Sequence, residues 1–413
     1  MIPLPKLITL IAENLGIVKN METETNSNLT NQNHYLKTNQ HINSLDQSFK
    51  IKELRIDQIY TKWEKYVLKN RSANIFSHPI WIKCLEKEYN RQALILVCLD
   101  IKSNIRGVLP LLPTLGIPFK LNNLVTSKRL SSLPRTPLGG ILFDNEEIRK
   151  KLIHYAVKKV SESEKTCLQL KSYCSNLEVG VQGLKKFLWR NSFYLSLPDH
   201  PENIRFGNKQ QRRKIKWAVN KARNSGIYLR ELETAEDLKK WYKLYLETMK
   251  QHFVPPRRFR FFKDLFDNLA SKGFVKLLLA EMDIGGEKTI LAGSVFLLFN
   301  DTVFYSFNGR SKLGLSLHAN DLIQWEAINQ SCQMGYKFYD MGEVCENNTG
   351  LARFKNKWGC DSYPIYHYYF TSNESNYNQS LDIANNIHYP KLIWNNLPLN
   401  ITRYMGTIVN RYL

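Results

Sequence analysis

Three apolar runs, FVKLLLAEMD, TILAGSVFLLFN and DTVFYSFNGR, fill residues 274–310 almost without interruption. Only Asn300-Asp301 separates the last two, a pair suited to a tight reverse turn, so these runs are expected to form a β-hairpin. Helical periodicity at 234–250 and 258–272 precedes this meander, and a further helix at 318–334 crosses over to strands at KFYDMGE and YPIYHYYF. Helices first, then an antiparallel meander, then a crossover helix and more strands make an α+β unit.

A second unit of mixed helices and strands comes before it. An amphipathic pattern covers 57–70, and His78-Pro79 opens a helix carrying Trp81, Leu85 and Tyr89 at spacings of four. QALILVCLD and IRGVLPLLPTL read as a strand pair turning at Ser103-Asn104. A helix near 146–163, a buried strand TCLQLKSY and a helix near 178–190 follow, and the repetition of the later pattern suggests an internal duplication. The expected divisions are a flexible tail over 1–50, domains over 51–200 and 201–372, and an amphipathic extension over 373–413. The tail call rests on residues 21–50, which are rich in Asn, Thr, Ser and Gln and poor in aliphatics, too little apolar surface to offset the entropy of ordering. The extension mixes Lys391, Arg403 and Arg411 with Leu, Ile, Trp and Tyr, which suits a helix on a membrane surface or one packed on the protein's own body.

Of 413 residues, 58 are Lys or Arg and 37 are Asp or Glu, a formal net charge of +21. That excess favours anionic partners: nucleic acid, an anionic membrane face or phosphorylated substrates. Seven cysteines, widely spaced and never in C-x-x-C, argue for a reducing cytosol and against structural zinc or a disulfide framework. No apolar run is long enough to span a bilayer, and no signal peptide is legible at the N-terminus.

Four stretches carry candidate chemistry. RFGNKQQRRKIKWAVNKAR, from Arg205 to Arg223, contains no acid; Arg212, Arg213 and Lys216 would form a cationic helix face for phosphates, against the plainer reading of a solvated surface. Thr248, Lys250 and His252 cluster where a helix ends before Pro255-Pro256 and are expected to line a polar cleft, or simply to complement the helix dipole. The hairpin end FYSFNGRSKLGLSLHAND offers Tyr305, Asn308 and Arg310 to a substrate, with Arg310 and Gly314 at the wrong spacing for a coenzyme A phosphate loop. Finally, YDMGEVCENNTGLARFKNKWG frames Asp340 and Lys355. Forming an amide develops negative charge on a carbonyl oxygen. Lys355, expected on a short strand between Phe354 and Trp358, would meet that charge, while Asp340 would orient or deprotonate the amine. The competing assignment has Asp340 capping a loop and Lys355 in solvent.

The run from His318 to Gly359 resembles the C-terminal signature of the FemA/FemB/FemX family and its BioF2-like GNAT relatives, matching at Trp325, Glu326, Ala327, Gly335, Tyr339, Asp340, Gly342, Gly350, Phe354, Lys355, Trp358 and Gly359 in order. SSLPRTPLGG, LETMKQHFVPPRRFRFF and IWNNLPLNITRYMG are similar to stretches of the FemAB-like proteins that accompany exopolysaccharide and PEP-CTERM sorting systems. The resemblance implies two tandem GNAT-like domains, mixed and mostly antiparallel sheets flanked by helices, and a substrate cleft between or beside them. It implies transfer of an aminoacyl or acyl group to an amine of a cell-envelope or exopolysaccharide precursor, with aminoacyl-tRNA or acyl-CoA as co-substrate and no permanently bound cofactor or metal. Phe354 and Lys355 match the family's transition-state pair. Thr248 and Lys250 match its Thr-x-Arg phosphate contact, with Lys in place of Arg and so without the bidentate fork. The expected location is the cytoplasm, at the inner membrane surface. Two rivals remain at this level: an acyl-CoA-dependent N-acetyltransferase, and a non-catalytic basic module for RNA or anionic lipid.

Overall fold

The computed structural model describes residues 49–114, 128–163, 166–252, 254–344, 348–372 and 397–409. In the first half, strands β1 (Phe49–Leu54), β2 (Leu94–Asp100), β3 (Ile105–Thr114), β4 (Lys128–Ser131), β5 (Leu142–Phe143), β6 (Thr166–Ser172) and β7 (Lys185–Ser196) alternate with α1 (Ile56–Lys69), α2 (Pro79–Tyr89) and α3 (Glu146–Ser161). The second half runs α4 (Lys209–Asn224), β8 (Tyr228–Glu231), α5 (Ala235–Gln251), α6 (Phe259–Leu269), β9 (Val275–Ile284), β10 (Glu287–Phe299) and β11 (Thr302–Arg310). It continues with α7 (Lys312–Ser316), α8 (Ala319–Gln333), β12 (Phe338–Val344), α9 (Thr349–Lys357) and β13 (Asp361–Thr371), and α10 (Leu399–Val409) follows.

The expected hairpin is present: β10 and β11 pair antiparallel with Phe299 opposite Thr302, and Asn300 turns through a left-handed conformation. β9 completes the meander on the other side of β10. The crossover helix α8 returns the chain so that β12 lies parallel to β11. His78 opens α2 as expected. Its Nδ1 accepts the amide of Ile80 at 3.2 Å, Pro79 stands in the first turn, and burial lowers the imidazole to a pKa of about 4.

Two features differ from the sequence reading. Of the segment expected to be a helix near 178–190, residues 185–190 instead open β7, whose Trp189, Phe193 and Leu195 are buried by a slot between two strands distant in sequence. Phe49 and Lys50, assigned to the tail, begin β1 and pair with Asp100 and Leu99; the rest of residues 1–50 lies outside the described residues.

Sheet order brings the halves together. The strands run β1-β2-β3-β4-β6-β13-β7-β12-β11-β10-β9-β8, so β13 inserts between β6 and β7 while β7 pairs with β12. Each half thereby lends a strand to the other, and the seam between them is hydrogen-bonded sheet. Two large cores flank the second half's sheet. One holds α5 and α6 through Trp241, Tyr245, Phe261 and Phe262, with Trp241 Nε1 donating to the Gly293 carbonyl at 2.9 Å. The other holds α4 and α8 through Ile215, Val219, Leu322 and Ile323. Full burial of one such large side chain contributes about 2–3 kcal/mol. The C-terminal helix α10 rests against α5. Of the expected extension, residues 373–396 and 410–413 lie outside the described residues.

Candidate active site

A cleft of about 430 Å³ opens where the halves meet. Its walls are the 129–137 loop of the first half, the ends of α5 and β11, the β12–α9 corner, and side chains standing on β6, β7 and β13. Among the described residues six cations line it, Arg129, Arg135, Lys171, Arg190, Arg257 and Lys355, against the single carboxylate of Glu343. Such a surface attracts an anionic ligand.

Lys355 lies on α9, not on a strand. The Asn348 side chain caps that helix by accepting the Leu351 amide, and the wholly buried Trp358 anchors its other end. Lys355 is 3% exposed. Its Nζ donates to the carbonyls of Gly342 at 2.8 Å and Glu343 at 3.2 Å, and stands 5.7 Å from the centre of the Phe193 ring. An ammonium carries three hydrogens, so among the described residues one is left for a group in the cleft. Burial lowers its pKa to about 8, a shift opposed by the charges of Asp340 and Glu343.

Asp340 does not line the cleft. One of its oxygens accepts the hydroxyls of Tyr363 at 2.8 Å and Tyr173 at 3.1 Å, and the other accepts the amide of Gly342 at 2.5 Å. Desolvation raises its pKa, and these three donors oppose the rise. A carboxylate so occupied has no geometry for receiving a substrate amine. It instead holds the amide of Gly342, whose carbonyl, in the next peptide group, receives Lys355. Gly342 has φ +80° and sits where the β12–β7 register slips, which turns that carbonyl out of the ladder.

The other expected residues divide. Thr248, His252, Tyr305 and Asn308 line the cleft. The Thr248 hydroxyl is already committed, donating to Leu244 O at 2.9 Å and accepting the Arg310 amide at 3.0 Å. His252 caps the end of α5, and burial together with the Arg310 charge lowers its pKa. Lys250, Arg310 and Phe354 are not among the lining residues. Nor are Arg212, Arg213 and Lys216, which stand exposed on the outer face of α4.

Sequence reasoning missed a row on the cleft floor. His367 stacks on Trp189 with centroids 4.1 Å apart, and the Arg190 guanidinium lies 4.7 Å from the Trp189 ring centre. Glu343 bridges Arg190 at 3.4 Å and Lys171 at 3.7 Å. Gln169 Nε2 donates to Tyr369 Oη at 2.9 Å, which directs the Tyr369 hydroxyl to His367 Nδ1, also at 2.9 Å, and assigns the imidazole proton to Nε2. Burial holds His367 neutral, well below its usual pKa. These residues come from four strands, β6, β7, β12 and β13, and their register brings them together, so no local spacing announces them. Across the cleft mouth, Arg257 pairs with the buried Glu88 and donates to Arg135 O at 2.5 Å, while Arg135 donates to Pro255 O at 2.6 Å, a reciprocal tie between loops of the two halves. Among the described residues no group of three His, Cys, Asp or Glu side chains is placed to hold a metal ion, and no helix is long and apolar enough to cross a membrane.

Residues 209–356 match the family model described as Acetyltransferase (GNAT) domain. With the mixed sheet and flanking helices, that domain defines the chain as an α+β, GNAT-fold acyl-transferring enzyme. Its overall architecture is FemX-like. The crystal structure of FemX is similar at 14% identity and a TM-score of 0.60, covering 80% of this chain and 99% of that one. The C-terminal domain (DUF2156) of a putative lysylphosphatidylglycerol synthetase from Agrobacterium fabrum is similar at 9% identity and a TM-score of 0.51, covering 78% and 94%. No curated protein matches the chain in sequence.

Proposed function

We propose that this enzyme forms an amide by moving an aminoacyl or acyl group onto an amine of a phosphorylated cell-envelope or exopolysaccharide precursor held in the cleft. One observation carries the reading: a buried lysine, clamped by two backbone carbonyls, faces a hollow lined by cations. The free amine attacks the carbonyl carbon of an activated ester or thioester. The carbonyl oxygen becomes an oxyanion, and the remaining Lys355 N–H meets it. Collapse breaks the bond to the leaving oxygen or sulfur, which takes the proton shed by the new amide nitrogen. Asp340 supports the step through Gly342 and by keeping its positive neighbour charged. The excess of cations in the cleft suits phosphate groups on the acceptor, or on a donor such as aminoacyl-tRNA or acyl-CoA.

The test supplies labelled acetyl-CoA and charged tRNA separately, each with amine-bearing envelope precursors. Transfer from one donor identifies it, and Lys355→Met should lower that turnover by about 10²- to 10³-fold, the usual loss for one oxyanion donor. Undiminished transfer by the variant would remove Lys355 from the chemistry.

A further inference from the structure

The basic helix that the cleft leaves unused has an outer face unlike an ordinary solvated one. Ile215, Ala218, Val219 and Ala222 bury one side of α4. The opposite side presents Arg212, Arg213 and Lys216, all exposed, and among the described residues no carboxylate pairs with any of them. Amid these cations stands Trp217, 58% exposed, its ring meeting that of His318 edge-on at 5.0 Å. His318 stands two residues past the end of α7, whose Leu313 and Leu315 are 41% and 53% exposed while Gly314 between them is buried against Leu291. Through that ring contact, the cationic face of α4 and the apolar face of α7 adjoin.

We infer that α4 and α7 form a docking surface for an anionic membrane, with Trp217, Leu313 and Leu315 entering the headgroup region while Arg212, Arg213 and Lys216 meet lipid phosphates. Charge complementarity selects a polyanion, and the aliphatic leucines select a lipid surface over RNA. A nucleic acid rewards cations and a stacking ring but offers exposed leucines no hydrocarbon, whereas a bilayer interface accepts all three. Tryptophan in particular settles at that interface. Such a surface would hold the enzyme where lipid-linked acceptors are, and it is distinct from the cleft.

The experiment sediments the full-length protein with vesicles of phosphatidylcholine alone or mixed with phosphatidylglycerol. Binding should require phosphatidylglycerol and weaken as salt rises. Arg213→Glu with Lys216→Glu should reduce partitioning by roughly 30-fold or more, since each cation near an anionic surface supplies about fivefold. Leu313→Ser with Leu315→Ser should weaken vesicle binding while leaving any binding of polyuridylate RNA unchanged. Lys355→Met should bind vesicles like the wild type, which separates this surface from the proposed chemistry. Equal binding to neutral vesicles, indifference to the charge reversal, or capture of RNA with no capture of vesicles would each overturn the assignment. The substitutions on α4 and α7 fall on exposed side chains, and an unchanged circular dichroism spectrum checks that every variant folds.

Discussion

Lys355 donates to the carbonyl of Gly342 at 2.8 Å, and the amide of the same Gly342 is held by Asp340. The two charged residues thus hold the two peptide groups that flank the Gly342 α-carbon. Their relation is positional as well as electrostatic: Asp340 fixes the carbonyl that aims the ammonium.

This linkage makes pH informative. With a pKa of about 8, Lys355 carries its proton below that value and loses it above. Turnover that depends on the ammonium should fall about tenfold per pH unit on the alkaline side. A pH–rate profile of wild type against Lys355→Arg checks it, because an arginine would stay charged and abolish that limb.

Asp340→Asn should move the same limb to lower pH. The Asp340 charge raises the lysine pKa, and its removal leaves desolvation less opposed. Asn retains an oxygen for the Gly342 amide, so its kcat at low pH should exceed that of Asp340→Ala, which releases the peptide. Identical profiles for wild type and Asn variant would end the electrostatic part of this account.

The tie across the cleft mouth should matter to stability. Glu88→Ala leaves the Arg257 guanidinium buried and unpaired, a loss of about 3–5 kcal/mol. Denaturant unfolding measures it, and a cost under about 1 kcal/mol would mean that water reaches the arginine.

Gly309 lies where β11 crosses α5. A Cβ there would stand 2.5 Å from the Tyr245 nitrogen, in backbone that cannot yield. Gly309→Ala should cost about 1–3 kcal/mol and part the Thr248 hydroxyl from the Arg310 amide. Unfolding midpoints, and substrate KM if α5 shifts in the cleft wall, provide the check.

Local pattern made the second half readable. The Asn300-Asp301 turn, the periodicity of α5 and α8, and the acid-free run of α4 are each a matter of neighbours in sequence, and each element formed where that pattern indicated. Lys355 was legible as a residue but not as a conformation. Its short segment, held between Asn348 and Trp358, winds into a helix, and that winding brings Nζ back to the carbonyls of β12.

Sequence by itself determined the elements, the antiparallel meander, the basic helix and the candidate lysine, because hydrophobic period, turn residues and charge runs act over a few positions. Only tertiary structure decided that β13 would enter between β6 and β7, that Asp340 would serve a peptide instead of an amine, and that Arg213 would face outward while Lys171, Arg190 and His367 gathered in the cleft. Strand register and burial couple residues far apart in the chain, and no local spacing encodes those partners.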